Sequence, residues 1–315
     1  MKIPLSLCAV LLTLIQVVTV SAQDRPTPSL PAGVKLLANI AYAPNGHERQ
    51  KLDLYLPETR PADGKPLPVI LWVHGGAWLG GSKEGSPAVR YVTRGYAVAS
   101  VGYRLSQHAP FPAQIEDCRA AVRWLRAHAK EHGLDPDRFG AWGASAGGHL
   151  VALLGTAADV KAWDVGENSG ESSRVQCVVD WFGPSDFLTI GRQSLPESKL
   201  NHDAPDSPEA KLIGGAVQQN KEKAAKASPV TYVTKDDAPF LIVHGTKDDT
   251  VPFGQSEELA KALKDAGVEA TLVPVEGAGH GGGGFNSREV REKMEGFFDS
   301  HLKSKRGETE GAKPE

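Results

Sequence analysis

Two hydrophobic rhythms run along this chain. In Lys51-Leu52-Asp53-Leu54-Tyr55-Leu56 polar and apolar residues alternate, which predicts a strand, paired with a second one near Leu36 to Tyr42 across the Pro44-Asn45-Gly46 turn. From Val69 onward the apolar residues come instead in short unbroken runs: Val69 to Val73, Tyr96 to Val101, Arg138 to Trp142, Val175 to Phe182, Phe240 to Val243 and Ala270 to Val275. Runs of that kind fit strands buried on both faces of a sheet. Helical stretches, Pro112 to His132, Ala146 to Ala157, Gln255 to Gly267 and Ser287 to Leu302, separate or follow most of them. The first opens on a proline and closes at Gly133. Alternating β and α predicts a mainly parallel, doubly wound sheet with helices on both faces and an antiparallel hairpin at its N-terminal end.

The connection between Phe182 and Phe240 is longer than one helix requires. It is rich in Ser, Pro, Asp and Lys, with helical patches near Ser207 to Leu212 and Lys221 to Ala227, and reads as a small cap insertion over about 186–238. At the start, Lys2 precedes an apolar run from Ile3 to Val20 that ends in Val20-Ser21-Ala22, the pattern of a secretory signal peptide over residues 1–22 cut before Gln23. That leader places the protein outside the cytoplasm, secreted or periplasmic. The stretch 303–315 lacks apolar residues and is expected to be a disordered tail.

Composition narrows the function classes. The 315 residues are 40% hydrophobic and 23% charged, with Lys+Arg 35 against Asp+Glu 38 and only 3 Cys, which excludes a disordered chain, collagen and a disulfide scaffold. A net charge of -3 without a basic block gives no footprint for nucleic acid or, once the leader is removed, for a membrane. Cys118 shares a helical face with Ile115, Val122 and Leu125, and Cys177 lies in the apolar run Val175 to Val179, so both are expected as buried free thiols rather than a bridge.

The strongest chemical signal is Gly143-Ala144-Ser145-Ala146-Gly147-Gly148, set between the run ending at Trp142 and the helix from Ala146. Small residues around a serine are what a sharp strand-to-helix turn requires. The turn would lift Ser145 Oγ out of the fold, with a helix N-terminus and the Ala146 N–H behind it. Upstream, His74-Gly75-Gly76-Ala77-Trp78 follows the strand from Val69. Its glycines let the main chain approach a substrate, so the N–H groups of Gly76 and Ala77 can join that of Ala146 in an oxyanion hole; His74 itself reads as a buried hydrogen-bonding residue. No metal and no cofactor is expected.

A serine needs a base, and in the hydrolase order of Ser, then an acid, then His, the histidine lies in the loop after the last strand. His280, in Gly277-Ala278-Gly279-His280, fits; His202 falls in the cap, His244 at a strand end and His301 in the final helix. For the acid, Asp248, Asp249 and Asp186 all follow strands. The 32 residues from Asp248 to His280 equal one helix and one strand, and Val251-Pro252 would pin its loop; Asp186 reads as a cap or turn residue and Asp249 as a solvated neighbour.

Together with Pro112-Ala113-Gln114-Ile115-Glu116-Asp117, Trp181-Phe182-Gly183-Pro184-Ser185-Asp186 and His244-Gly245-Thr246, these motifs resemble the alpha/beta hydrolases of the BD-FAE group, bacterial carbohydrate-ester hydrolases neighbouring the hormone-sensitive-lipase-like esterases. The resemblance runs from Leu36 to Leu302. It implies an eight-stranded alpha/beta-hydrolase sheet, a Ser145, Asp248, His280 triad and esterase action on short or aromatic acyl groups, often acetyl or feruloyl on plant polysaccharide. Ala77 stands where lipase-like relatives carry a third glycine, and it crowds bulky acyl groups. Trp78, Trp181 and Phe182 are expected to shape the substrate pocket. Two other readings compete: a small peptidase resembling the prolyl oligopeptidase group, and a binding member of the fold without chemistry.

Overall fold

The computed structural model describes residues 30–60, 64–198 and 200–303. The leader expected over 1–22 lies outside the described residues, as does the expected tail beyond Lys303. Eight strands, β1 (Val34–Ala41), β2 (Lys51–Pro57), β3 (Leu67–Val73), β4 (Ala97–Val101), β5 (Leu134–Ala144), β6 (Cys177–Trp181), β7 (Phe240–Gly245) and β8 (Ala270–Val275), form one sheet. Their order is β1-β2-β4-β3-β5-β6-β7-β8. The β1–β2 and β2–β4 pairings are antiparallel and the remaining ones parallel.

The helices are α1 (Ala113–Ala127), α2 (Ala129–His132), α3 (Ala146–Thr156), α4 (Phe187–Gln193), α5 (Pro208–Ile213), α6 (Lys221–Ala227), α7 (Gly254–Asp265) and α8 (Arg288–Leu302). Apolar residues pack on both faces of the sheet, in one cluster around Val69, Leu71, Ala141, Leu150 and Phe240 and another around Ile70, Trp142, Val179, Met294 and Phe298. That two-sided cover explains why β3, β4 and β6 are buried at every position and read as unbroken apolar runs. Among the described residues no helix is long and apolar enough to cross a membrane.

Three local differences from the expected pattern have identifiable causes. The stretch expected as one helix from Pro112 to His132 divides at His128, whose Nδ1 lies 2.8 Å from the Trp124 carbonyl oxygen. The link between β3 and β4 holds a 3-10 helix, Pro87–Arg94, opened by Ser86 accepting the Ala88 N–H and closed by Gly95 at φ 86°. In β2 the polar position Asp53 is buried, because Lys83 Nζ pairs with it at 2.9 Å and the Asn39 N–H, in a bulge of β1, donates to it at 2.8 Å. The connection from β6 to β7 carries α4, α5 and α6, the latter two on the helical patches expected there. Cys118 and Cys177 are buried and free.

Candidate active site

Strand β5 delivers Ser145 and α3 leaves from it. The serine has φ 56° and ψ -122°, a region in which a residue carrying a Cβ is strained. Glycines two positions to either side make the turn possible. A Cβ on Gly143 would stand 2.2 Å from the Gly147 carbonyl oxygen, and one on Gly147 would stand 2.0 Å from the Val73 carbonyl oxygen. Neighbouring backbone holds the strain: the Ser145 N–H donates to the Trp181 carbonyl at 2.8 Å, and the His149 N–H donates to the Ser145 carbonyl at 3.0 Å. As the first residue of α3, Ala146 has no preceding turn to accept its N–H.

His280 comes to the serine from the loop after β8. Its Nε2 lies 2.9 Å from Ser145 Oγ and its Nδ1 2.7 Å from Asp248 Oδ2. An imidazole with a carboxylate at Nδ1 carries its proton there, which leaves Nε2 free to accept the serine proton. A Cβ on Gly245 would stand 2.4 Å from both the Ala278 and Gly279 carbonyl oxygens, so the loop can close in only over a glycine. The imidazole is 22% exposed and rests on the Phe182 ring, with centroids 4.6 Å apart.

Asp248 is 1% exposed. Its Oδ1 accepts the N–H groups of Thr250 at 2.9 Å and Val251 at 2.8 Å, which turns Oδ2 toward His280. A second imidazole supports it: His244 Nε2 lies 2.9 Å from the Val251 carbonyl oxygen and 3.2 Å from Asp248 Oδ2. Facing two acceptors, Nε2 carries the proton, and Nδ1 accepts from the Ser256 hydroxyl at 2.6 Å. Burial alone would raise the Asp248 carboxyl, but hydrogen bonds from His244 and His280 outweigh it and hold the group well below the usual carboxylate range. The other two acids lie elsewhere. Asp186 caps α4 by accepting the Leu188 N–H at 2.8 Å, and Asp249 is exposed beside Thr250.

The His74-Gly75-Gly76-Ala77-Trp78 loop lies against the serine turn, since a Cβ on Gly75 would stand 2.8 Å from the Ala144 carbonyl oxygen and 3.3 Å from Ser145 Cβ. Gly76, Ala77 and Trp78 have φ of 112°, 54° and 56°. Behind the loop, His74 is buried and stacked on Tyr103, whose hydroxyl donates to the His74 carbonyl at 2.9 Å. Burial pushes the His74 imidazole down to about 4, so it is neutral. Arg49 braces it from the other side, with Nη2 3.3 Å from His74 Nε2 and donating to the Gly81 carbonyl at 2.8 Å.

The expected pocket aromatics divide. Phe182 underlies the triad imidazole, but Trp78 is 2% exposed and points away from it, its indole donating to His149 Nδ1 at 3.2 Å. Trp181 packs against Trp142 and Phe285 in the core. Both rings are buried, turned inward by the left-handed backbone at Trp78 and the strand pairing at Trp181. His149 and His244 fall within recognisable motifs, but neither those motifs nor the surroundings of Arg49 in the sequence indicate the partners these side chains take. The His-x-x-x-His spacing of His128 and His132 falls beside Trp124, and among the described residues no three His, Cys, Asp or Glu side chains could share a metal ion.

A mainly parallel sheet with a strained serine at the end of its central strand, and an acid and a histidine following in that order, defines an alpha/beta hydrolase fold. Within it the chain belongs to the BD-FAE family, which matches residues 52–263. Among curated proteins it is similar to the esterase LipC of Mycobacterium tuberculosis, 31% identical over 236 residues that make 74% of this chain and 57% of the relative. The esterase LipQ of the same organism is 32% identical over 237 residues, 73% of this chain and 53% of the relative. The chain thus spans about half the length of the curated relatives it matches. Among solved structures, a truncated carbohydrate esterase from gut microbiota superposes with a TM-score of 0.77 at 32% identity, covering 86% of this chain and 97% of that one. The thermophilic esterase Est2 of Thermogutta terrifontis gives 0.65 at 27% identity, covering 88% and 96%.

Proposed function

We propose that this protein is a serine carboxylic-ester hydrolase. The observation that carries the reading is the continuous hydrogen-bonded chain from Ser145 Oγ through His280 to Asp248 beside an N–H-lined loop. Ser145 Oγ attacks the ester carbonyl as its proton passes to His280 Nε2. The oxyanion gathers on the N–H groups of Gly76, Ala77 and Ala146, and collapse expels the alcohol with the proton from His280. Water, deprotonated by the same nitrogen, then attacks the acyl-serine; the acid leaves and Ser145 is restored. Asp248 holds the imidazole tautomer throughout.

The substrate class we infer is short or aromatic acyl esters, with acetyl and feruloyl groups on plant polysaccharide as natural candidates. Phe182 beneath the imidazole and Ala77 at the third loop position support a confined site, and Est2 of Thermogutta terrifontis has been crystallised with butyrate and with propionate. A panel of acetyl, butyryl, octanoyl, feruloyl and proline-amide substrates tests both statements. Each methylene in a closed apolar pocket is worth about 1–3 kcal/mol, so kcat/KM should fall by an order of magnitude or more toward long chains. Equal turnover of a C16 ester would overturn the acyl preference. Turnover of the proline amide alone would overturn the esterase reading. Export through the leader at 1–22 belongs to the same proposal, and an exported protein beginning at Met1 would remove it.

A further inference from the structure

We infer that His149 is a positioning residue that ties the oxyanion loop both to the helix carrying the nucleophile and to α6 in the β6–β7 connection. The inference rests on the esterase reading for its kinetic consequence, though not for the tie itself.

Ala77 and Trp78 are consecutive non-glycine residues in left-handed conformation, with φ of 54° and 56°. A side chain with a Cβ is strained in that region, so the loop keeps its shape only if its surroundings impose it. At the backbone, the Trp78 carbonyl accepts the Ser106 N–H at 2.8 Å and the Ser106 hydroxyl at 3.2 Å. At the side chain, the indole Nε1–H donates to His149 Nδ1, and its ring meets His149 and Phe187 edge-on at 5.0 and 5.5 Å.

The imidazole is equally constrained. It stacks on Phe187 at 5.2 Å with 19° between the planes, and its Nε2–H donates to the Ala227 carbonyl of α6 at 2.6 Å. Only the tautomer with hydrogen on Nε2 satisfies both partners. His149 sits one turn beyond Ser145, and its N–H donates to the Ser145 carbonyl at 3.0 Å. One residue therefore bonds the backbone of the nucleophile, the indole of the oxyanion loop and the last residue of α6. A displacement of α6 reaches the N–H groups of Gly76 and Ala77 through this ring.

The experiment compares wild type with Trp78→Phe, His149→Leu, His149→Gln and the Trp78→Phe/His149→Leu double variant. Measured are kcat and KM on an acetyl ester, the affinity of an alkyl boronic acid that forms a tetrahedral adduct on the serine, and amide exchange across Gly75 to Trp78. Removing an oxyanion donor outright costs about 10²–10³ in kcat, so a displaced loop should cost about 10–100-fold. His149→Leu and Trp78→Phe should each show that loss with KM within a few-fold, weaker boronate binding in parallel, and exchange at least about tenfold faster in the loop alone. His149→Gln, which can accept from Trp78 and donate to Ala227, should recover most of it. The double variant should be no worse than either single one, because both remove one link. Unchanged loop exchange in Trp78→Phe and His149→Leu, or multiplying losses in the double variant, overturns the tie. Faster exchange in a protein inactive on every ester would sink the esterase reading and leave the tie standing.

Discussion

Asp180 is the most exacting place to test the physical account of this fold. It lies on β6 under the serine turn, wholly buried; Oδ1 accepts the Gly183 N–H at 2.9 Å and Oδ2 has no hydrogen-bond partner. The Gly148 backbone leaves no room for relief, since a Cβ there would stand 2.3 Å from Asp180 Oδ1. Burial pushes the carboxyl from 3.8 up to about 7, only partly opposed by the Gly183 hydrogen bond. The unfolded chain releases this proton near the lower value and the native state keeps it to the higher one. Between them the native state binds more protons, so stability is full at acid pH and is lost as pH rises toward 7. Each pH unit is worth about 1.4 kcal/mol, about 4 kcal/mol in all, of which about 3 falls between pH 5 and 8. Asp180→Asn keeps the acceptor for Gly183 and cannot ionise. Urea unfolding of both proteins at pH 5, 6, 7 and 8 should show the variant gaining about 3 kcal/mol on wild type across that range, whatever constant offset the unpartnered amide adds. Parallel pH profiles for the two proteins would mean that Asp180 does not titrate in this range.

The acid assignment predicts that Asp248→Asn loses about 10⁴ of kcat on an acetyl ester by presenting the wrong imidazole tautomer, while Asp249→Asn stays within a few-fold. Asp186→Ala should instead cost about 1 kcal/mol of unfolding free energy, as the loss of a helix cap, with kcat within a few-fold. Gly147→Ala should lower the melting temperature and cut kcat at least about tenfold, because its Cβ would meet backbone at 2.0 Å, whereas Gly296→Ala in α8, with nothing within 4 Å, should stabilise by about 1 kcal/mol in a thermal melt. Cys118 and Cys177, buried with their thiols pushed up by burial, should resist a thiol reagent in the native state and react once denatured, read by mass spectrometry of the modified peptides.

Architecture and the order of the site residues were legible along the chain. Unbroken apolar runs such as Val69 to Val73 can be satisfied only between two layers, so the parallel sheet was legible, and small residues around Ser145 marked the turn because only they fit it. Asp248 and His280 could be proposed from chain order and spacing, properties the sequence carries directly. Where side chains point once distant segments meet could be read only from the folded chain. Trp78 was expected to shape the pocket from its place after His74-Gly75-Gly76-Ala77; two left-handed residues turn it onto His149, seventy-one positions away, which no local pattern encodes. His244 and Arg49 likewise gain their partners from the closing of loops against one another. Asp180 lies in an apolar run, yet its missing partner is a matter of three-dimensional neighbours alone. Periodicity reports how much of a residue is buried, and burial is nearly local; hydrogen bonds within about 3 Å depend on both ends arriving together, and that is a property of the whole fold.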